Sequence, residues 1–260
     1  MKTKLLISLT GLLLLAAVII TAHAITACST VETIMIPGGE YIMGCLPDDQ
    51  GCDADEYPRH PVKVASFYMD KYEVTQSEFK RVMGFNPSYF KDCCDCPVET
   101  VNWFDAAKFC ERVGKRLPTE AEWEWAARGG LENALYPWGD ERANCDLAVL
   151  DMDPVDDFGD GCGRKATWPV GSRPQGCNAY GLCDMAGNVY EWCSDWYDPD
   201  YYKQAPIENP QGPAQGEFRV IRGGCWQAYP ARYLRSSNRF WEYPYEEQYA
   251  LGFRCVKDSD

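Results

Sequence analysis

Histidine is scarce in this sequence. There are two in 260 residues, His23 and His60, and His23 falls in an amino-terminal segment that reads as removed on export. One remaining imidazole excludes a two-histidine iron triad and a histidine-rich zinc site. A Ser–His or Cys–His nucleophile would have to use His60, which sits between Arg59 and Pro61 in an acidic stretch and is not expected to act as a base. Positive charge is also short: 25 Lys and Arg stand against 39 Asp and Glu, a net charge of −14. Nucleic-acid binders carry a basic face, and no Lys/Arg run occurs beyond the short amino terminus, so no nucleic-acid partner is expected. Most of the excess acid reads as solvated surface, with a minority free to bind cations. No G-x-x-x-x-G-K loop, Rossmann fingerprint, internal repeat or low-complexity linker is found. Arg222-Gly223-Gly224 is glycine-rich, but two glycines permit a turn more readily than they hold a phosphate.

What is abundant is apolar, aromatic and sulfur-bearing. Apolar residues make up 46% of the chain, with 16 tyrosines and 9 tryptophans, enough for one large domain with its own core. Lys2 and Lys4 precede an apolar stretch at residues 5–20, too short to span a membrane comfortably and shaped like an export signal. Two endings compete: Ala22-His23-Ala24 fits a signal-peptidase site, and Ile25-Thr26-Ala27-Cys28 resembles a lipobox. On the second, favoured reading, residues 1–27 are a lipoprotein signal, Cys28 carries lipid and anchors the protein to a membrane, residues 28–32 are a tether, and 33–260 form the domain. On the first, the protein is periplasmic or secreted. Both place it in or beyond a bacterial cell envelope.

Fourteen cysteines behind an export signal read as a disulfide framework. If Cys28 is lipidated, thirteen remain, and at least one is unpaired or bonded to another chain. Cys45 and Cys52 are spaced for a local bridge. Cys96 is expected to pair with Cys93 or Cys94, leaving the other as the odd thiol. Zinc at this cysteine cluster is the alternative, but it would need further ligands from elsewhere.

Residues 33–44 read as a strand running into a turn, and residues 62–72 as another strand. Three helices carry start and stop signals. Thr75-x-x-Glu78 is a capping box closed by Gly84, Asn102 caps a second helix that ends before Gly114, and Thr119-x-x-Glu122 is a capping box closed by Gly129-Gly130. Ala106, Phe109, Cys110 and Val113 share one face of the second helix. From Tyr136 onward Gly, Pro, Asp and aromatics dominate. Loops that long in a compact domain are functional, or held by metal or disulfides. The change in character is not a domain boundary, because neither half has enough regular apolar pattern to fold alone.

Several blocks are specific enough to carry a resemblance. They are Met35-Ile36-Pro37-Gly38-Gly39 with Met43-Gly44, and Tyr72-Glu73-Val74-Thr75. Pro97-Val98-Glu99-Thr100-Val101-Asn102-Trp103 is followed by Gly114-Lys115-Arg116-Leu117-Pro118-Thr119-Glu120-Ala121-Glu122-Trp123-Glu124. Then come Tyr180-Gly181-Leu182, Asp184-Met185-Ala186-Gly187-Asn188-Val189-Tyr190-Glu191-Trp192, Arg222-Gly223-Gly224 and Gly252-Phe253-Arg254-Cys255. In this order they resemble the sulfatase-modifying-factor, or formylglycine-generating enzyme, family. The resemblance implies a single complex α+β domain related to C-type lectins, low in regular secondary structure and rich in disulfides, with Cys110 bridged to Cys255.

The same resemblance implies site chemistry. The family's oxidases bind copper(I) through two cysteines between R-G-G and G-F-R-C, as suits a soft ion. Residues 226–251 contain none, and Cys225, too early to replace them, is expected to be bridged; copper is therefore not expected. Calcium is, in a structural role. One site would use Asp184 and Glu191 through side-chain oxygens and Gly187 and Val189 through carbonyls; a second would use Asn144, Cys145, Asp160 and Cys162. The family's substrate cleft falls at residues 232–249, where Arg232, Tyr233, Arg235, Ser237, Arg239 and Trp241 are candidates, since arginine and aromatic side chains anchor binding surfaces. The reading is a calcium-stabilised domain binding an exported peptide, protein or small molecule. The alternative is an oxidoreductase of the family that modifies an exported partner without the copper pair.

Overall fold

A computed structural model describes residues 32–153 and 159–259. The proposed export signal, Cys28 and residues 28–31 of the tether lie outside the described residues.

The chain opens with two short strands, β1 (Thr33–Ile36) and β2 (Gly39–Met43), followed by β3 (His60–Val64) and β4 (Phe67–Asp70). The stretch expected as one strand over residues 62–72 is therefore two, and they belong to different sheets. β3 pairs antiparallel with β2, and β4 pairs with β1 on one side and with β9 (Val256–Asp258) on the other. Ala65 and Ser66 break the run. Gly38 permits the close crossing there: a Cβ on it would come within 2.7 Å of the Ser66 nitrogen.

The three helices are α1 (Gln76–Met83), α2 (Trp103–Arg112) and α3 (Glu120–Arg128). Thr75 and Thr119 each accept from the backbone N–H three residues on, while Glu78 and Glu122 reach back to the cap nitrogens; Gly84 and Gly129 end their helices in the left-handed conformation that glycine tolerates. Asn102 caps α2. Ala106, Phe109 and Cys110 face the core, but Val113 is largely exposed: the backbone has already left the helix there, so helical spacing no longer sets its direction.

The second half supplies β5 (Tyr190–Trp196), β6 (Arg219–Arg222), β7 (Phe240–Glu242) and β8 (Leu251–Gly252), in a sheet ordered β7-β6-β5-β8 with only β5 and β8 parallel. α3 packs against β2, β3, β5 and β6, so Trp123 lies fully buried with Phe67, Met69 and Val220. Phe79 stacks on Phe109 at 5.6 Å, and both meet Phe253 edge-on. Each such ring contributes roughly 1.5–3 kcal/mol by burial. Both halves thus share one core, in an α+β fold with little regular structure.

Among the described residues five disulfides staple it: Cys45–Cys52, Cys93–Cys96, Cys110–Cys255, Cys145–Cys162 and Cys177–Cys183. Among the described residues Cys94, Cys193 and Cys225 are free. Cys225 is therefore not bridged; it is enclosed in a core cluster whose other buried members are Val149, Trp226 and Ala250.

Candidate functional site

The segment expected to form a cleft divides in two. Its first part, residues 232–239, starts as a 3-10 turn at Ala231–Leu234 and then runs inward beneath the Gly223-Gly224 turn. Both glycines have positive φ, and a Cβ on Gly224 would stand 2.9 Å from the Tyr233 carbonyl oxygen. The approach buries Arg235, Ser236, Ser237, Asn238 and Arg239.

Carboxylates from other elements meet the buried arginines. Arg235 forms a two-point pair with Glu56 at 2.7 and 2.8 Å and another contact with Asp49 at 2.8 Å. Arg239 forks onto Glu120 at 2.7 and 3.0 Å and lies over the Tyr202 ring. Arg222 reaches Glu120 at 3.1 Å and Glu124 at 2.5 Å, and Arg128 completes the chain on Glu124 at 2.8 Å. Burial works against ionising Glu124, but Arg128 and Arg222 outweigh it and hold the carboxyl below its usual range.

Four guanidinia thus meet four carboxylates: Asp49, Glu56, Glu120 and Glu124. Asp195, also buried, forms no ion pair among the described residues, although its charge is felt by Arg219. It accepts from the Glu120 N–H and the Ser194 hydroxyl, and burial, followed by the charge of Glu120, pushes it up to about 7. Arg235 and Arg239 are therefore structural ion-pair partners and not ligand anchors, and the Ser237 hydroxyl accepts from Arg235 inside the same network. Of the six cleft candidates, Arg232 and Trp241 are exposed and Tyr233 is half-buried.

The expected first calcium loop precedes and enters β5. Asp184 and Asn188 hold positive φ. Asp184 accepts from the Gly171 N–H at 2.6 Å. Glu191 is fully engaged: Arg254 donates to both carboxylate oxygens at 2.7–2.9 Å, and the Trp123 indole donates at 2.7 Å. A carboxylate has about four lone-pair sites, so Glu191 has none left for a cation, and its assigned role as a side-chain ligand does not fit this packing.

Glu73 fits better. It is buried, one of its oxygens accepts from Asn188 at 3.1 Å, and the other has no N–H or O–H donor among the described residues. Burial, followed by the charge of Asp184, raises the Glu73 pKa, and burial likewise raises that of Asp184. Among the described residues Arg254 is the cation that faces Glu73, Asp184 and Glu191 together, so the cluster has room for one more positive charge, a proton or a metal ion. Glu73 and Asp184 are its hard oxygen donors.

At the second expected calcium loop, Asn144 accepts from the Asp146 N–H at 2.8 Å, and Asp160 accepts from Met152 and Cys162 at 3.1 Å each. Cys145 and Cys162 are bonded to each other, so they have only backbone carbonyls to offer. His60 lies in β3 against the Tyr202 ring, with Nδ1 3.1 Å from the Pro58 carbonyl oxygen.

The free thiols bear on copper chemistry. Cys193 packs near Trp123 and Met185, and Cys225 near Trp226 and Val149, in separate core clusters. Burial pushes both thiols up, Cys225 to about 12, so neither is a thiolate at neutral pH. Cys94 is exposed.

Sequence reading passed over Glu56, Glu73, Glu120, Glu124 and Asp195. A signal existed for two of them. Glu120, Glu124 and Arg128 recur at intervals of four, on one face of a capped helix, beside the buried Trp123.

A family model described as "Sulfatase-modifying factor enzyme 1-like domain" matches residues 21–259. The serine/threonine-protein kinase pkn1 of Chlamydia pneumoniae is 37% identical over 259 residues, covering 87% of this chain but only 38% of that protein. The chain thus spans well under half the length of this relative. The formylglycine-generating enzyme of Streptomyces coelicolor is 46% identical over 296 residues, covering 89% of this chain and 91% of the enzyme. The solved structure of PvdO from Pseudomonas aeruginosa superposes with a TM-score of 0.74 at 26% identity, over 87% of this chain and 94% of that one.

Proposed function

The chain belongs to the sulfatase-modifying factor enzyme 1-like family, and from that premise we propose that it is a recognition domain of the cell envelope and not a copper-dependent oxidase. The observation that carries this reading is the supply of sulfur. Copper(I) needs soft donors held together, residues 226–251 contain no cysteine, and the buried free thiols Cys193 and Cys225 sit in different core clusters. The ligand is a peptide or small molecule of the exported space, taken at the surface of residues 240–249. Cys28 is lipidated, and intact-mass analysis of the membrane fraction tests that.

The activity test is direct. The protein is loaded with copper(I) under oxygen and given a peptide with a C-x-P-x-R sequence; no aldehyde forms. Stoichiometric formylglycine would overturn the reading. The second reading, an oxidoreductase working without the cysteine pair, is favoured by the similarity that extends over 91% of the Streptomyces enzyme; oxygen uptake and peptide mass measured without added copper test it, and the absence of both changes would count against it.

Calcium stabilises the fold through Asp184 and Glu73 with neighbouring carbonyls. Bound ligand stabilises the folded state by mass action, so chelator lowers the melting temperature of the wild type and leaves Asp184→Asn unmoved. Glu191→Ala destabilises by about 3–5 kcal/mol with or without calcium, because it strands Arg254 in the core. If Asp184→Asn responds to chelator as wild type does, the site is wrong.

A further inference from the structure

Strand β7 forms the open edge of the four-stranded sheet, and its flank is aromatic. The Trp241 ring lies 4.1 Å from Phe218, Phe218 lies 4.5 Å from Tyr243, and Tyr243 stacks on Tyr245 at 5.3 Å. Trp241 is 37% and Tyr245 61% exposed. These rings make one continuous patch, and their exposed faces carry the negative side of the ring quadrupole.

The patch is ringed by acid. Desolvation, Tyr243, and then the charges of Glu246, Glu217 and Glu242 raise the Tyr245 phenol, which brings all three carboxylates to the neighbourhood of that ring. None of the three forms an ion pair among the described residues. Arg219 stands opposite Glu242 in the strand register, but its guanidinium is held between Trp103 and Trp196, 3.8 and 3.5 Å from their ring centroids, and donates to the Ser194 carbonyl. This differs from the interior a few residues earlier, where Asp49, Glu56, Glu120 and Glu124 each meet a guanidinium.

Ring faces beside unneutralised carboxylates attract cations, and an open strand edge offers main-chain hydrogen bonds to an extended chain. We infer that this face docks an extended basic peptide segment, its lysine or arginine side chains on the Trp241–Tyr245 patch and its backbone along β7. The inference rests on the recognition reading above and names the partner class. The net charge of −14 adds long-range attraction for such a partner, and the strand edge favours a peptide over a free amine.

The test uses the whole protein and two fluorescent octapeptides, one alternating Lys and Ser, the other Glu and Ser. The lysine peptide binds at least about tenfold more tightly at low salt, and added salt weakens it. Trp241→Ala, Tyr245→Ala and Glu246→Gln each weaken it about two- to fivefold, while Asp48→Asn, an exposed acid on another loop, leaves it unchanged. Equal weakening by Asp48→Asn would mean attraction by overall charge and would sink the docking site. A Glu–Ser peptide that binds and is lost in Trp241→Ala would refute the basic-partner inference but keep the recognition reading. Aldehyde formation with no peptide binding would refute both. Tetramethylammonium binding as tightly as the lysine peptide would show a free-amine site and overturn the peptide assignment.

Discussion

Residues 232–239 and 240–249 are neighbours in sequence, and both mix charged with aromatic or aliphatic side chains. They have opposite fates. The first turns inward under Gly223-Gly224, and Arg235 and Arg239 vanish into ion pairs with Glu56 and Glu120. The second forms the edge strand and its following loop, leaving Trp241 and Tyr245 open to solvent. The lesson is that an arginine-rich stretch is read correctly only once the origin of its counter-charges is known. Glu56 and Glu120 lie 179 and 119 residues from the arginines they neutralise.

The sharpest way to break this comparison is to remove an inner arginine. Arg239→Ala leaves Glu120 short of a partner in a buried site and is expected to cost about 3–5 kcal/mol, read as a shift in the urea unfolding midpoint. A cost below about 1 kcal/mol would mean that Arg239 is solvated and belongs with the outer stretch.

The Cys110–Cys255 bridge, closing a separation of 145 residues, comes next. Cys110→Ser with Cys255→Ser is expected to lose about 2–5 kcal/mol. Non-reducing peptide mapping that found both thiols free in the wild type would contradict the pairing outright.

Asp195 tests the charge balance of the inner network through pH. Its folded pKa, about 7, lies above the unfolded value of about 3.9. Between those values the folded state holds the extra proton. The protein therefore loses stability as pH rises from about 4 to about 7, and the loss is complete above the folded pKa. Asp195→Asn keeps an oxygen for the Glu120 N–H and carries no charge, so it is expected to flatten that slope and to raise stability at pH 8 by roughly 1–3 kcal/mol. Melting curves of both proteins across pH 4–8 that run parallel would show that Asp195 does not titrate in this window.

The smallest effect belongs to the outer stretch. Tyr245→Ala should change stability by no more than about 0.5 kcal/mol, measured by the same urea titration. A loss approaching that of Arg239→Ala would make the patch part of the core and remove its availability for a partner.

Much of the fold was legible in the sequence because its signals are local. The boxes Thr75-x-x-Glu78 and Thr119-x-x-Glu122 cap their helices using atoms within four residues, and Gly84 and Gly129 stop them by backbone conformation alone. The close spacing of Cys45 and Cys52 marked a bridge without any distant information. The ordered family blocks, from Met35 to Cys255, carried the fold as a whole.

The fate of each charge, by contrast, was set by the packing of remote elements. The sequence determined that Arg222, Arg235, Arg239 and Arg254 exist near the carboxyl end, and that acids are in excess. It did not determine that Glu191 would be spent on Arg254 and Trp123, that Glu73 would face Asp184 with an oxygen that meets no N–H donor among the described residues, or that Cys225 would be walled off as a free thiol. Each outcome depends on which side chain from a remote element arrives first at a desolvated position. Ionisation and metal-binding capacity follow from that contact and its dielectric, not from the residue's neighbours along the chain.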